Sequence, residues 1–164
     1  MISRIEKIAE DVLTHFKLDV TPVPVEEVAS RLQIKIGREP SEDFSGILIR
    51  KDGKALIGVN SNESFVRQRF TIAHELGHFI LHKEKETFVD YRDNQKEIMR
   101  TPREKQANAF AAALLMPRTR LIKDVKAKFK DGIYEEDLVE LAELYEVSTE
   151  AMKYRLMNLN LIHS

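Results

Sequence analysis

Residues 71–82 read TIAHELGHFILH, placing three of the chain's five histidines within nine positions. The flanking stretch 65–82 is apolar at helical spacing. With His74 set at zero on a helical wheel, His78 falls at about 40° and Glu75 at about 100°, while Phe65, Ile72, Leu76 and Phe79 cluster between about 140° and 200°. One face therefore carries polar chemistry and the opposite face carries core residues. Histidines four apart stand one turn apart, so two imidazoles can converge on a single metal ion. The pattern His74-Glu75-x-x-His78 is that of a zinc site with its own base. Glu75 points beside the metal rather than at it, which suits proton abstraction from water that zinc has acidified. Chance alone would produce such a pattern in roughly one sequence in a hundred, so the motif needs support from elsewhere in the chain. The plain alternative is two histidines and a glutamate on a solvated face. Unpaired polar groups in so apolar a helix would be costly, which argues against it.

The rest of the chain sets the frame for this helix. Its 164 residues suit one domain, long enough to bury a core without staples. There is no cysteine, which excludes disulfides, thiolate nucleophiles and cysteine zinc sites. No apolar run approaches the ~18 residues of a membrane span, and the amphipathic start MISRIEKIAEDVLTHF does not read as a signal peptide. The expected location is therefore cytoplasmic, with no membrane partner. A formal net charge of −1 supplies no general affinity for nucleic acid. Charge is nonetheless uneven, basic over 118–130 and acidic over 131–151, and two solvated helix faces account for that.

Periodicity and breakers predict a helix over 2–17, with Ile5, Ile8, Ala9, Val12 and Phe16 on one stripe, and a short helix over about 25–32. A strand at IKIGR and a hairpin in SGILIRKDGKALIGVN, turning at Asp52-Gly53, follow. SNES offers N-caps for the histidine helix, placed at roughly 62–83. The polar segment 84–101 reads as a surface crossing. TPREKQANAFAAALLMP, 101–117, is a helix opened by Thr-Pro and closed by Pro117. Further helices fill the remainder. The expected class is α+β: a mostly helical domain over 1–164 with a small, mainly antiparallel three-stranded sheet, and a helical C-terminal part over 118–164.

A catalytic zinc takes three protein ligands and keeps a fourth position open. His82 lies two turns beyond His74, about 12 Å along the axis, too far to join both others on one ion. It is better read as a supporting or packing residue. Glu104 suits the third position. It enters a helix that is apolar almost all round, where a carboxylate wants a partner. The alanines at 107, 109, 111, 112 and 113 would let that helix approach another closely. Asn108, one turn on, is placed to orient a ligand histidine. For Glu104 alone, the competing explanation is a first-turn acid favoured by the helix dipole. Asp90, Asp93 and Glu97 are less favoured ligands.

RFTIAHELGHFILH followed by REKQANAFAAALLMP closely resembles the ImmA/IrrE family of small zinc metallopeptidases. VPVEEVASRL, SGILI, IGVN and LAELYEVSTEAMKYRLMNLNLI also fit, so the resemblance covers nearly the whole chain. It implies a gluzincin-like site with His74, His78 and Glu104 as Zn2+ ligands and Glu75 as base, and Asn108 matches the family's asparagine or aspartate position. It also implies a protein substrate, a helix-turn-helix repressor, and some members are described as regulators whose protease activity is hard to demonstrate. Ala142, Val147, Ser148 and Met152 themselves follow a helix-turn-helix pattern, with Glu146 where glycine is common. Glu140, Glu143, Glu146 and Glu150 would face a polyanion against only Lys153 and Arg155, so direct nucleic-acid binding is not expected. Three functions compete: a zinc endopeptidase cutting a regulator, a zinc-containing module that holds a repressor uncut, and a DNA-binding regulator. His82, Tyr91 and Tyr154 are all possible oxyanion donors. The sequence leaves the oligomeric state open.

Overall fold

A computed structural model describes residues 3–91 and 101–163. Helix α1 (Arg4–Phe16) starts at Ser3, whose hydroxyl accepts from the Glu6 amide, and α2 spans Val25–Arg31. Strands β1 (Ile34–Glu39), β2 (Phe44–Lys51) and β3 (Lys54–Asn60) lead to the histidine helix α3 (Phe65–Leu81), capped by Ser64 as SNES implied. Strand β4 (Thr87–Tyr91) precedes α4 (Pro102–Leu115), where Thr101 caps the Glu104 amide. Helices α5 (Arg118–Lys128), α6 (Glu135–Tyr145) and α7 (Thr149–Asn158) complete the order. The class is α+β, as the residue pattern implied.

The sheet runs β1-β3-β2-β4, with β1 parallel to β3 and the other two pairs antiparallel. Asp52 and Gly53 both have positive φ, as a tight two-residue hairpin demands. The sheet has four strands rather than the expected three. The extra one, β4, comes from the segment read as a surface crossing. Its Thr-Phe-Val-Asp-Tyr run has strand composition, but charged neighbours on its N-terminal side mask the signal. Burial supplies the reason it pairs, since Phe88 is buried against the histidine helix.

One buried apolar cluster extends from Ala9 to Leu156, with α3 and α4 at its centre. Their approach depends on Gly77. A Cβ there would stand 3.0 Å from the Ala107 carbonyl oxygen and 3.2 Å from the Phe110 Cβ. The alanine-rich face of α4 supplies the matching shallow surface. On the other side of α3, a Cβ at Gly46 of β2 would lie 2.3 Å from the Thr71 Cγ2. Glycine at these two points lets the sheet and α4 close on α3 from two directions.

Helices α6 and α7 follow one another across a short turn at residues 146–148. Ala142, Val147 and Met152 are buried, and the Ser148 hydroxyl caps α7 by accepting from the Ala151 amide. Glu146 takes the left-handed conformation (φ 54°, ψ 50°) at the position where glycine is common. Arg69 holds it there, with Nε donating to the Glu146 carbonyl at 3.1 Å and lying 3.5 Å from its carboxylate. Arg155 does not face outward. Its guanidinium is buried, donating to the Met116 carbonyl and pairing with Glu6 of α1.

Candidate metal centre

His74 and His78 project one turn apart from α3 and meet Glu104 from the first turn of α4. The Glu104 Oε2 lies 2.8 Å from the His74 Nε2 and 3.1 Å from the His78 Nε2. One ligand atom from each of the three residues lies within 4.8 Å of the others, and all three residues are buried. Asp90 belongs to β4, but its side chain, like Asp93 and Glu97, lies outside the described residues.

The hydrogen bonds behind the histidines decide what the triad can hold. The His74 Nδ1 is 2.7 Å from the Asn108 Oδ1, an acceptor, so the ring carries its proton on Nδ1. The His82 Nε2 is 2.7 Å from the Gln106 Oε1, which puts the His82 proton on Nε2 and leaves a lone pair on its Nδ1. That lone pair faces the His78 Nδ1 at 2.9 Å, so the His78 proton also sits on Nδ1. Both Nε2 atoms then turn lone pairs toward a carboxylate. Three electron-pair donors pointed at one place repel each other unless a cation lies between them. The donor set therefore fits a divalent metal ion.

Electrostatics agree. Burial holds His78 below the ordinary histidine value, so it is neutral and ready to ligate. Burial also pushes the Glu104 carboxyl up, but the hydrogen bonds and charge that His74 and His78 supply when, without a metal, they carry protons on Nε2 outweigh it and bring the group down to about 2. Phe88 stacks on the His78 ring with centroids 3.9 Å apart and planes at 15°, fixing the ring's orientation.

Glu75 is fully buried on α3 beside this triad. A Cβ on Gly46 would stand 3.5 Å from the Glu75 Oε1, so glycine on β2 keeps the space around that carboxylate. Among the residues considered for an oxyanion, His82 is buried with its two ring nitrogens directed at His78 and Gln106. Tyr91 and Tyr154 are exposed on β4 and α7. Gln106, Phe88 and Gly46 were not singled out from the sequence. Gln106 lies two residues from Glu104 and carried a faint signal as a polar residue in an apolar helix. Phe88 and Gly46 become visible only when the sheet is built.

Residues 29–157 match the family model Peptidase_M78, the IrrE N-terminal-like domain. The chain is 32% identical over 92 residues to metallopeptidase ImmA of Bacillus subtilis, a match covering 56% of this chain and 53% of that protein. It is 37% identical over 102 residues to the radiation response metalloprotease IrrE of Deinococcus radiodurans, covering 62% of this chain and 30% of that one. The match thus spans about half the length of one relative and under a third of the other. A solved chain described as a Mycobacterium tuberculosis transcriptional regulator superposes with a TM-score of 0.63 at 17% identity. That likeness covers 93% of this chain and 46% of the other, and it concerns the fold. Because the family match takes in both histidines of α3, Glu104 and most of the fold around them, the chain belongs to the Peptidase_M78, IrrE N-terminal-like family.

Proposed function

We propose that this protein is a zinc-dependent endopeptidase that cuts a regulatory protein, a helix-turn-helix repressor. The observation that carries the reading is the convergence of His74, His78 and Glu104 with their lone pairs preset, beside the buried Glu75. Two imidazoles and one carboxylate are a donor set that suits zinc with an open fourth position. Bound there, zinc would supply Lewis acidity, polarising a peptide carbonyl and acidifying water.

The chain's own residues supply the remaining functions. Asn108 and the His82–Gln106 pair hold the two ligand rings in one tautomer and one orientation. Glu75 takes a proton from the attacking water onto its carboxylate and can return it to the leaving amine. Burial of the site keeps bulk water from competing for these groups. The chain acts as one domain over 1–164, a reading supported by the continuous core from Ala9 to Leu156. Among the described residues no helix is long and apolar enough to cross a membrane, and a repressor substrate would be met in the cytoplasm. Direct DNA reading by α7 has less support, because Arg155 is spent on Glu6 and Met116.

The test is to incubate candidate helix-turn-helix repressors from the same genome with zinc-loaded protein, with and without a chelator. Chelator-sensitive cleavage is expected. Tight repressor binding without any cleavage would replace this reading with that of a module that holds its partner uncut.

A further inference from the structure

The histidine helix ends against an arginine from the sheet. With α3 stopping at the His82 cap, the carbonyls of residues 79–82 lack intrahelical donors. Arg50 of β2 serves the first and the last of these. Its Nη2 donates to the Phe79 carbonyl, and its Nη1 donates to the His82 carbonyl at 2.8 Å. The same Nη1 reaches the Lys85 carbonyl at 2.9 Å, in the turn that leads to β4. The guanidinium also lies over the Phe79 ring, 4.7 Å from its centroid. A cation at this end of the helix is favoured by the macrodipole as well.

What Arg50 holds in this way is the support of the His78 ring. His82 faces the His78 Nδ1 at 2.9 Å, and Phe88 stacks on the ring at 3.9 Å between centroids. His82 is the residue whose carbonyl Arg50 grips. Phe88 stands two residues after Glu86, whose carbonyl accepts from the Arg50 amide at 2.7 Å. Both supports therefore sit on segments whose backbone is tied to one residue of β2. A second tie from the turn, Glu84 with Arg103 of α4 at 2.9 Å, joins two exposed side chains and contributes little. His74 takes its Nδ1 support from Asn108 on α4 instead.

We propose that Arg50 is a positioning residue for the metal centre: its fork of donors fixes the end of α3 and the start of β4, and through His82 and Phe88 it sets the His78 ring for ligation. The proposal rests on the metal reading of the triad. The fork matters because a guanidinium presents its donors at fixed separation, and a single ammonium cannot span both helix carbonyls and the turn. The effect is local to His78. Ordinary helix capping would stabilise the fold and leave the two ligand histidines alike.

The test measures zinc affinity of the full chain by dye competition, and records the ring proton–nitrogen NMR signals of His74, His78 and His82 with zinc and with chelator. In Arg50→Met zinc affinity is expected to fall about 10-fold, the lower end for a group that supports a ligand. The His78 and His82 ring signals should shift or broaden while those of His74 stay in place. Arg50→Lys keeps the charge and loses the fork. It should show the same selective change, and it decides the matter if Arg50→Met does not fold. A folded variant with wild-type affinity and unmoved His78 signals overturns the proposal. So does a change that strikes His74 and His78 equally. If wild type binds no zinc, the metal reading falls. The selective shift in chelated protein then still sustains the tie from Arg50 to the His78 ring, and its absence refutes that tie.

Discussion

The Nδ1 of His74 lies 2.7 Å from the Oδ1 of Asn108, while its Nε2 lies 2.8 Å from Glu104. One ring is thus held between an acceptor that fixes its proton and a carboxylate that faces its lone pair. His78 repeats the arrangement through His82 and Gln106. Removing the support should loosen the metal without removing a ligand. Asn108→Ala and His82→Ala are each expected to lower zinc affinity by about 10- to 100-fold, with Asn108→Asp retaining most of it. Competition with a zinc-binding dye measures this. Unchanged affinity in both alanine variants would show that the rings need no such support.

A second expectation concerns Gly77. Alanine has the better helix propensity, worth about 0.5–1 kcal/mol. Here its methyl would meet backbone of α4 at 3.0–3.1 Å, and overpacking of that kind costs about 1–3 kcal/mol. The predicted outcome of Gly77→Ala is a net loss of about 1 kcal/mol in urea unfolding. Displacement of Glu104 should weaken zinc binding with it. A more stable variant with full zinc affinity would mean that α4 can yield without moving the ligand.

Acid should act on the metal-free protein in two stages. Burial holds His78 below its ordinary value of 6.5, so the unfolded chain takes up that proton first. Its contribution to stability is complete above about pH 6.5 and is lost as pH falls through the lower native value. Glu104, brought from 4.5 to about 2, contributes above 4.5 and loses that contribution as pH falls toward 2. Urea midpoints measured from pH 8 to 3 in chelator should show both declines, with His78→Gln flattening the first and Glu104→Gln the second. A midpoint that stays constant from pH 7 to 5 in the wild type contradicts the His78 assignment.

Arg155 is predicted to be a structural residue. Replacing it with Ala leaves the partly buried Glu6 carboxylate without its counter-ion and the Met116 carbonyl without its donor. The expected loss is about 3 kcal/mol in denaturant unfolding. Lys153→Ala, on an exposed position of the same helix, should stay within about 0.5 kcal/mol of wild type. If Arg155→Ala is equally harmless, the ion pair is not holding α7 against α1.

These residues also show where sequence reading succeeds and where it stops. His74, His78, Glu104 and Asn108 were legible because two helices with strong patterns carry them at fixed spacing, and caps at Ser64 and Thr101 marked both starts. The hairpin was legible from Asp52-Gly53. What was hidden depends on contacts between distant segments. β4 shows itself only once Phe88 has His78 to stack on, and Gln106 matters only through His82. Arg155 read as an outward base on a helix-turn-helix, and nothing local revealed that Glu6, far away in the chain, would turn it inward. Glu146 departs from glycine at a left-handed position, and Arg69 from α3 is the distant partner that holds it.

The central claim is that Glu75 moves the proton while His74, His78 and Glu104 hold the metal, and one measurement separates those roles. Wild type and Glu75→Gln are loaded with zinc, their metal content is matched by elemental analysis, and cleavage of the same repressor is timed. Gln preserves size and hydrogen bonding but cannot accept the proton. The account predicts about one zinc per chain in both proteins and a cleavage rate at least ~10²-fold lower in the variant. Equal rates at equal zinc content would contradict it.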